Sequence, residues 1–212
     1  MIKFFTQIGE FKKFVKNVGI DVDVGHLFGL DFPFVENREK FTIISIPDYS
    51  SENPENIIAA SKDYTLIYSK RDLDKVFKNF RQIMKKPHGE STAIIFLLLK
   101  NIIKNYSKEF EKIREIMNKL DLQPVLEEIE KSGRDLRKLT DRIEELVQLI
   151  MALRERDIKE FDTSLIDFDY YVLQSEARYW LERCRSHIYR IASLRTKSEM
   201  ASNRELNTTI TR

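Results

Sequence analysis

Residues 164–212 read SLIDFDYYVLQSEARYWLERCRSHIYRIASLRTKSEMASNRELNTTITR. The stretch has neither Gly nor Pro, and neither occurs anywhere after Gly133. Apolar or small residues return at Ile166, Tyr170, Leu173, Ala177, Trp180, Cys184, His187, Ile191 and Leu194, in alternating steps of three and four. That spacing lays one seam along an α-helix and requires other helices for the seam to pack on. At about 1.5 Å per residue the helix would reach roughly 70 Å. Past Leu194 the seam thins to Met200, Ala201, Leu206 and Ile210 among small polar residues, and no Gly, Pro or capping signal follows. A helix stopped in mid-pattern predicts a fragment cut from a longer protein.

Working back along the chain, Leu136, Leu139, Ile143, Leu146, Ile150 and Leu153 make a second stripe. Ile95, Leu98, Leu99, Ile102, Tyr106, Phe110, Ile113, Met117 and Leu120 make a third, in a helix capped by Ser91 or Thr92 and running to about Leu122. The break between these two helices falls either at residues 121–124, where Pro124 suits a helix first turn, or at Ser132-Gly133. Residues 154–163 are charged and irregular.

The N-terminal part mixes strands and helices. Residues 2–5 predict a short strand, and residues 10–18 an amphipathic helix with Phe11, Phe14, Val15 and Val18 on one face, ended by Gly19. Its lysines read as a solvated face in preference to an anionic-surface contact. Residues 21–25 form a strand or turn carrying Asp21 and Asp23. Residues 41–46 are β-branched and predict a strand, residues 47–56 a loop, and residues 57–60 and 65–68 a hairpin about Ser61-Lys-Asp-Tyr64. Residues 72–84 predict a helix with Leu73, Val76, Phe77, Phe80 and Ile83 inward, and residues 85–89 a linker containing Pro87 and Gly89. The class is α+β (α/β). A small mixed α/β domain, residues 1–86, is followed by two long antiparallel helices, residues 87–163, and one very long C-terminal stalk helix, residues 164–212.

Composition narrows the function. Net charge is +2, with 36 Lys and Arg interspersed among 34 Asp and Glu, so the basic stripe of a nucleic-acid binder is missing. The single cysteine, Cys184, excludes a disulfide framework and suggests a reducing compartment. The longest apolar run, residues 93–99, is too short to span a bilayer, and the N-terminus has no secretory core.

Catalytic motifs are absent. The six glycines never cluster into a phosphate loop, and there is no nucleophile elbow, His-Glu-x-x-His or paired Cys-x-x-Cys. No enzymatic activity is expected. Cys184 and His187 share a helix face and have zinc-donor atoms, but a packed seam explains them better. Glu127, Glu128, Glu130, Glu144 and Glu145 read as solvated helix faces. Asp167 and Asp169, at the start of the long helix, and Asp21 and Asp23 are the carboxylates with the character of a hard-cation site. Mg²⁺ keeps its water and often binds through one or two carboxylates. Asp at a helix start also simply suits the helix dipole.

The order of parts resembles the CorA family of magnesium and divalent-cation transporters, as the soluble N-terminal domain cut before the first membrane helix. The resemblance covers about residues 30–212. It rests on Asp63-Tyr-Thr-Leu-Ile-Tyr-Ser69, on Ser91-Thr-Ala-Ile-Ile-Phe-Leu-Leu-Leu99 after the Pro-Gly linker, and above all on Ala201-Ser-Asn-Arg-Glu-Leu-Asn-Thr-Thr-Ile-Thr-Arg212. That last segment is similar to the family's Ser-Asn-x-x-Asn-x-x-Met-x-x-Leu-Thr stretch. The family's Gly-Met-Asn signature lies beyond it and is not in this sequence, and the Trp-containing opening of many members is missing.

The resemblance implies a homopentamer at the cell (inner) membrane, with this part on the cytoplasmic side. Its long helices would line a pore and continue into the lipid bilayer. The pore-lining Asn falls on Asn207, or on Asn203 in a slipped register, and Ile210 takes the place of a hydrophobic gate. The resemblance also implies regulatory Mg²⁺ sites (Co²⁺ being an alternative ion) between subunits. Asp169 and Asp23 are the first choice for the two carboxylates, and Asp167 and Asp21 their rivals. A zinc-transporting relative and a soluble coiled-coil adaptor or scaffold are the alternative readings.

Overall fold

The computed structural model describes residues 1–28, 32–38, 40–47, 54–61, 63–70, 73, 90–155 and 167–210. The expected helix over residues 72–84 and the linker after it lie outside these, apart from Leu73, which is buried. The elements are β1 (Ile2–Phe5), α1 (Ile8–Asn17), α2 (Val24–Leu27), β2 (Phe34–Asn37), β3 (Phe41–Pro47), β4 (Pro54–Ser61), β5 (Thr65–Ser69), α3 (Glu90–Leu122), α4 (Leu126–Glu155) and α5 (Asp167–Ile210). The fold is α+β, a five-stranded mixed sheet and three long helices. The chain divides into two compact units, Met1–Ile102 with Glu145–Ser175, and Ile103–Glu144 with Glu176–Arg212.

In the first unit the sheet order is β1-β5-β4-β3-β2, with β1 parallel to β5 and every other pair antiparallel. β3 reads Phe-Thr-Ile-Ile-Ser-Ile-Pro and is buried at all seven positions, as a strand covered on both faces must be. Register separates the faces. Ile43 pairs with Ala59, which pairs with Leu66, and these join Phe41, Ile57 and Tyr68 in a core with Phe5, Phe11, Val15, Ile20, Val24 and Leu27. α1 and α2 thus cover this face. The expected hairpin is present, with Ala60 opposite Thr65. The expected loop over residues 47–56 is shorter than predicted, because β4 starts at Pro54 and Pro47 pairs with it.

α1 buries Phe11 and Val15, one turn apart, and ends where Gly19 takes φ +77, the left-handed value that closes a helix. Residues 21–25, expected as strand or turn, instead lead through the Asp23 N-cap into α2, a single helical turn over Val24–Leu27. In the same unit Arg154 donates to the Gln174 carboxamide oxygen at 2.7 Å and lies over the Tyr171 ring, so the end of α4 is tied to the start of α5.

In the second unit, Phe110 meets Trp180 and His187 while Arg190 reaches Asn118 and Asp121, so α3 and α5 run in the same direction. α4 runs against both, with Gly133 opposite Ile191 and Glu144 bonded to Arg185. The stripes expected on α3 and α4 are buried at every position. The break between them is at residues 123–125, and Ser132-Gly133 lies inside α4. α3 begins at Glu90, so Ser91 and Thr92 sit within its first turn and do not cap it, and Pro124 precedes α4 instead of entering its first turn.

Candidate functional site

Asp21 and Asp23 sit between α1 and α2, both exposed. Asp23 is the N-cap of α2, its Oδ1 accepting from the backbone N–H of Gly25 at 2.9 Å and of His26 at 3.2 Å. An Asp side chain suits this position because the first N–H groups of a helix have no partner within it. A Cβ on Gly25 would stand 3.0 Å from that oxygen and 3.4 Å from Lys12 Nζ. One oxygen of Asp23 is therefore already committed, beside an ammonium. Sequence reasoning missed this cap, although an Asp directly before Val-Gly-His was the available signal.

Asp167 opens α5 and Asp169 follows it, exposed, in the first turn. The side chain of Asp167 is outside the described residues. Among the described residues no three His, Cys, Asp or Glu side chains come together.

The buried seam of α5 follows the sequence pattern as far as Leu194, whereas Met200 and Ala201, expected to continue it thinly, are exposed. Tyr170, Leu173, Ala177, Cys184 and Leu194 are buried, and Trp180, His187 and Ile191 half-buried. Burial pushes the Cys184 thiol up to about 12, against a hydrogen bond with Thr140 and the charge of Arg183. His187 shares its Nδ1 hydrogen with the Arg183 carbonyl at 3.0 Å, and its ring packs on Phe110. A carbonyl only accepts, so Nδ1 carries the proton. The pair is thus part of the packed seam. Arg183, unnoticed in the sequence, lies over three rings, 5.2 Å from Phe110, 5.7 Å from Tyr179 and 5.8 Å from Trp180. It also donates to the Tyr179 hydroxyl.

From Glu199 to Arg204 every residue of α5 is exposed, Asn203 included. Asn207 and Ile210 lie within the helix, with side chains outside the described residues. No helix among the described residues is long and apolar enough to cross a membrane.

No family model matches the sequence, and no curated protein does. Solved structures do match. The CorA magnesium transporter from Methanocaldococcus jannaschii superposes with a TM-score of 0.70 at 16% identity, over 98% of this chain and 71% of that one. The ZntB cytoplasmic domain from Vibrio parahaemolyticus gives 0.69 at 12% identity, over 92% and 84%. The full-length CmaX protein gives 0.65 at 12% identity, over 93% of this chain and 63% of its own. With a mixed five-stranded sheet followed by three long helices, this chain has the fold shared by CorA, the ZntB cytoplasmic domain and CmaX.

Proposed function

We propose that this chain is the cytoplasmic regulatory domain of a homopentameric channel-type transporter for Mg²⁺, or for the similar Co²⁺ and Ni²⁺, at the cell (inner) membrane. The observation that carries the reading is a fold matched over 98% of the chain to a magnesium transporter. α5 supports it. A helix of 44 residues that leaves all its side chains in water over residues 199–204 is what a stalk surrounded by copies of itself would present in a single chain. In this reading five α5 helices enclose a pore that continues into the bilayer. Asn207, or Asn203, supplies an amide oxygen to the hydrated ion, and Ile210 forms a ring that shuts by dewetting.

The regulatory carboxylates are Asp169 or Asp167 of one copy and Asp23 or Asp21 of the next. Exposed carboxylates on separate elements suit Mg²⁺, which keeps most of its water. A bound cation would neutralise carboxylates of two copies at once. Unneutralised, those carboxylates repel across the interface, which favours splayed helices and an open pore. The closed arrangement is favoured only by as much as the cation prefers it.

Asp169→Ala is the direct test. It should weaken Mg²⁺-dependent protection of this chain from protease, and unchanged protection would remove Asp169 from the site. A second reading, a zinc-transporting relative of the same family, is supported by the near-equal likeness to the ZntB cytoplasmic domain. Divalent-cation uptake by vesicles holding the full-length protein separates the two.

A further inference from the structure

A groove in the second unit has no part in the transport reading. Gly133 and Arg137 of α4 line one side, and Ile188, Ile191, Ala192 and Arg195 of α5 the other, around about 160 Å³ of space. Gly133 makes the close approach of the helices possible. A Cβ there would stand 3.3 Å from Ile191 Cγ2, so a side chain would press on that wall, and would touch Arg137 Nη2 at 3.5 Å.

The groove is amphipathic in a specific way. Its lining is aliphatic along α5 and cationic at two points. Arg137 donates through Nε to the Gly133 carbonyl at 3.2 Å. That bond holds the guanidinium beside the groove and leaves the paired Nη edge unused, and among the described residues no carboxylate pairs with it. Arg195 ion-pairs through Nε with the Glu199 carboxylate, at 3.0 Å, so Arg137 is the stronger anchor and Arg195 offers only its Nη groups. The Nη edge of an arginine matches the two oxygens of a carboxylate. A fully hydrated inorganic anion gains nothing from Ile188 and Ile191, whereas a short apolar body does, at about 25 cal/mol for each Å² it buries. The space admits a ring or a short chain, well under the roughly 300–1,000 Å³ of pockets for larger ligands.

We infer that this groove binds a small organic carboxylate, its headgroup between the Arg137 and Arg195 guanidiniums and its apolar body against Ile188 and Ile191. Such a ligand would link α4 to α5 within the unit. The inference stands independently of the transported ion.

The test is a titration of the 212-residue chain with benzoate, followed by amide ¹H–¹⁵N spectra. Saturable shifts confined to the neighbourhood of Gly133, Ile191 and Ala192 are expected. Arg137→Gln and Arg195→Gln should each weaken binding about tenfold, the scale of one charge-assisted hydrogen bond. Both side chains are exposed, so each variant should fold, and either alone suffices for the comparison. Benzyl alcohol, which lacks the carboxylate, and inorganic phosphate, which lacks the apolar body, should both bind more weakly than benzoate. Shifts that rise linearly and scatter over the surface would overturn the inference. Benzoate affinity untouched by the arginine substitutions, or phosphate binding as tightly as benzoate, would overturn it equally.

Discussion

The imidazole of His187 stands edge-on to the ring of Phe110, with centroids 4.9 Å apart and planes at 79°. The contact joins α3 to α5 in the second unit. Burial lowers the His187 pKa below its ordinary value, and the charges of Arg190, Arg183 and Arg114 lower it further, while the hydrogen bond to the Arg183 carbonyl opposes them. The unfolded chain therefore takes up this proton more readily than the folded one. Stability should fall as pH drops from the ordinary histidine range, about 6.5, towards the lowered folded value, and this contribution should level off below it. His187→Gln should flatten that part of the profile. Urea midpoints measured between pH 7.5 and 5 check this, and an unaltered slope in the variant would rule His187 out as its source.

Phe110 is fully buried and meets Trp180 as well as His187. Phe110→Ala should cost about 3–5 kcal/mol, the usual range for emptying a packed aromatic site. Trp180 is the only tryptophan, so its fluorescence followed in urea reads the loss directly. A cost under about 1 kcal/mol would mean the seam repacks around the gap.

Asp23→Ala should lower stability by about 1 kcal/mol through loss of the α2 cap. Asp21, whose side chain caps nothing, should tolerate Ala with a change within roughly 0.5 kcal/mol. Thermal melts without divalent cation isolate this structural effect. The same two variants melted with Mg²⁺ then report on metal binding alone, as the difference between the two conditions.

Gly19→Ala should destabilise by about 1–2 kcal/mol, because φ +77 forces Cβ towards the following carbonyl. Beyond its own chain neighbours no heavy atom lies within 4 Å of the new Cβ, so the cost is one of local backbone conformation. Gly19→Asn, which tolerates the left-handed region better, should recover part of it in the same melt.

Periodicity was sufficient where packing repeats. The stripes of α3 and α4, and that of α5 from Tyr170 to Leu194, follow their heptads, since over those spans each helix faces the same kind of neighbour. Periodicity could not choose between Pro124 and Gly133 as the helix break. Glycine often ends helices, and only the approach of Ile191 reveals that Gly133 is needed inside one. α2 escaped because one helical turn has no period to detect, and its signal is a single capping Asp. The pairing of Asp169 with Asp23 or Asp21 is a different case. If the second carboxylate belongs to another copy, no distance within one chain can register it. The groove between α4 and α5 escaped as well, because its residues are separated by more than fifty positions in sequence.

The burial of Cys184 makes the protein its own reporter. A thiol held at about 12 is almost wholly protonated near neutral pH, and reagents that attack thiolates should pass it by while the second unit stays closed. Each alkylation would then mark one molecule caught open. Labelling rates with and without Mg²⁺ would time that opening residue-specifically, with no added probe and no substitution.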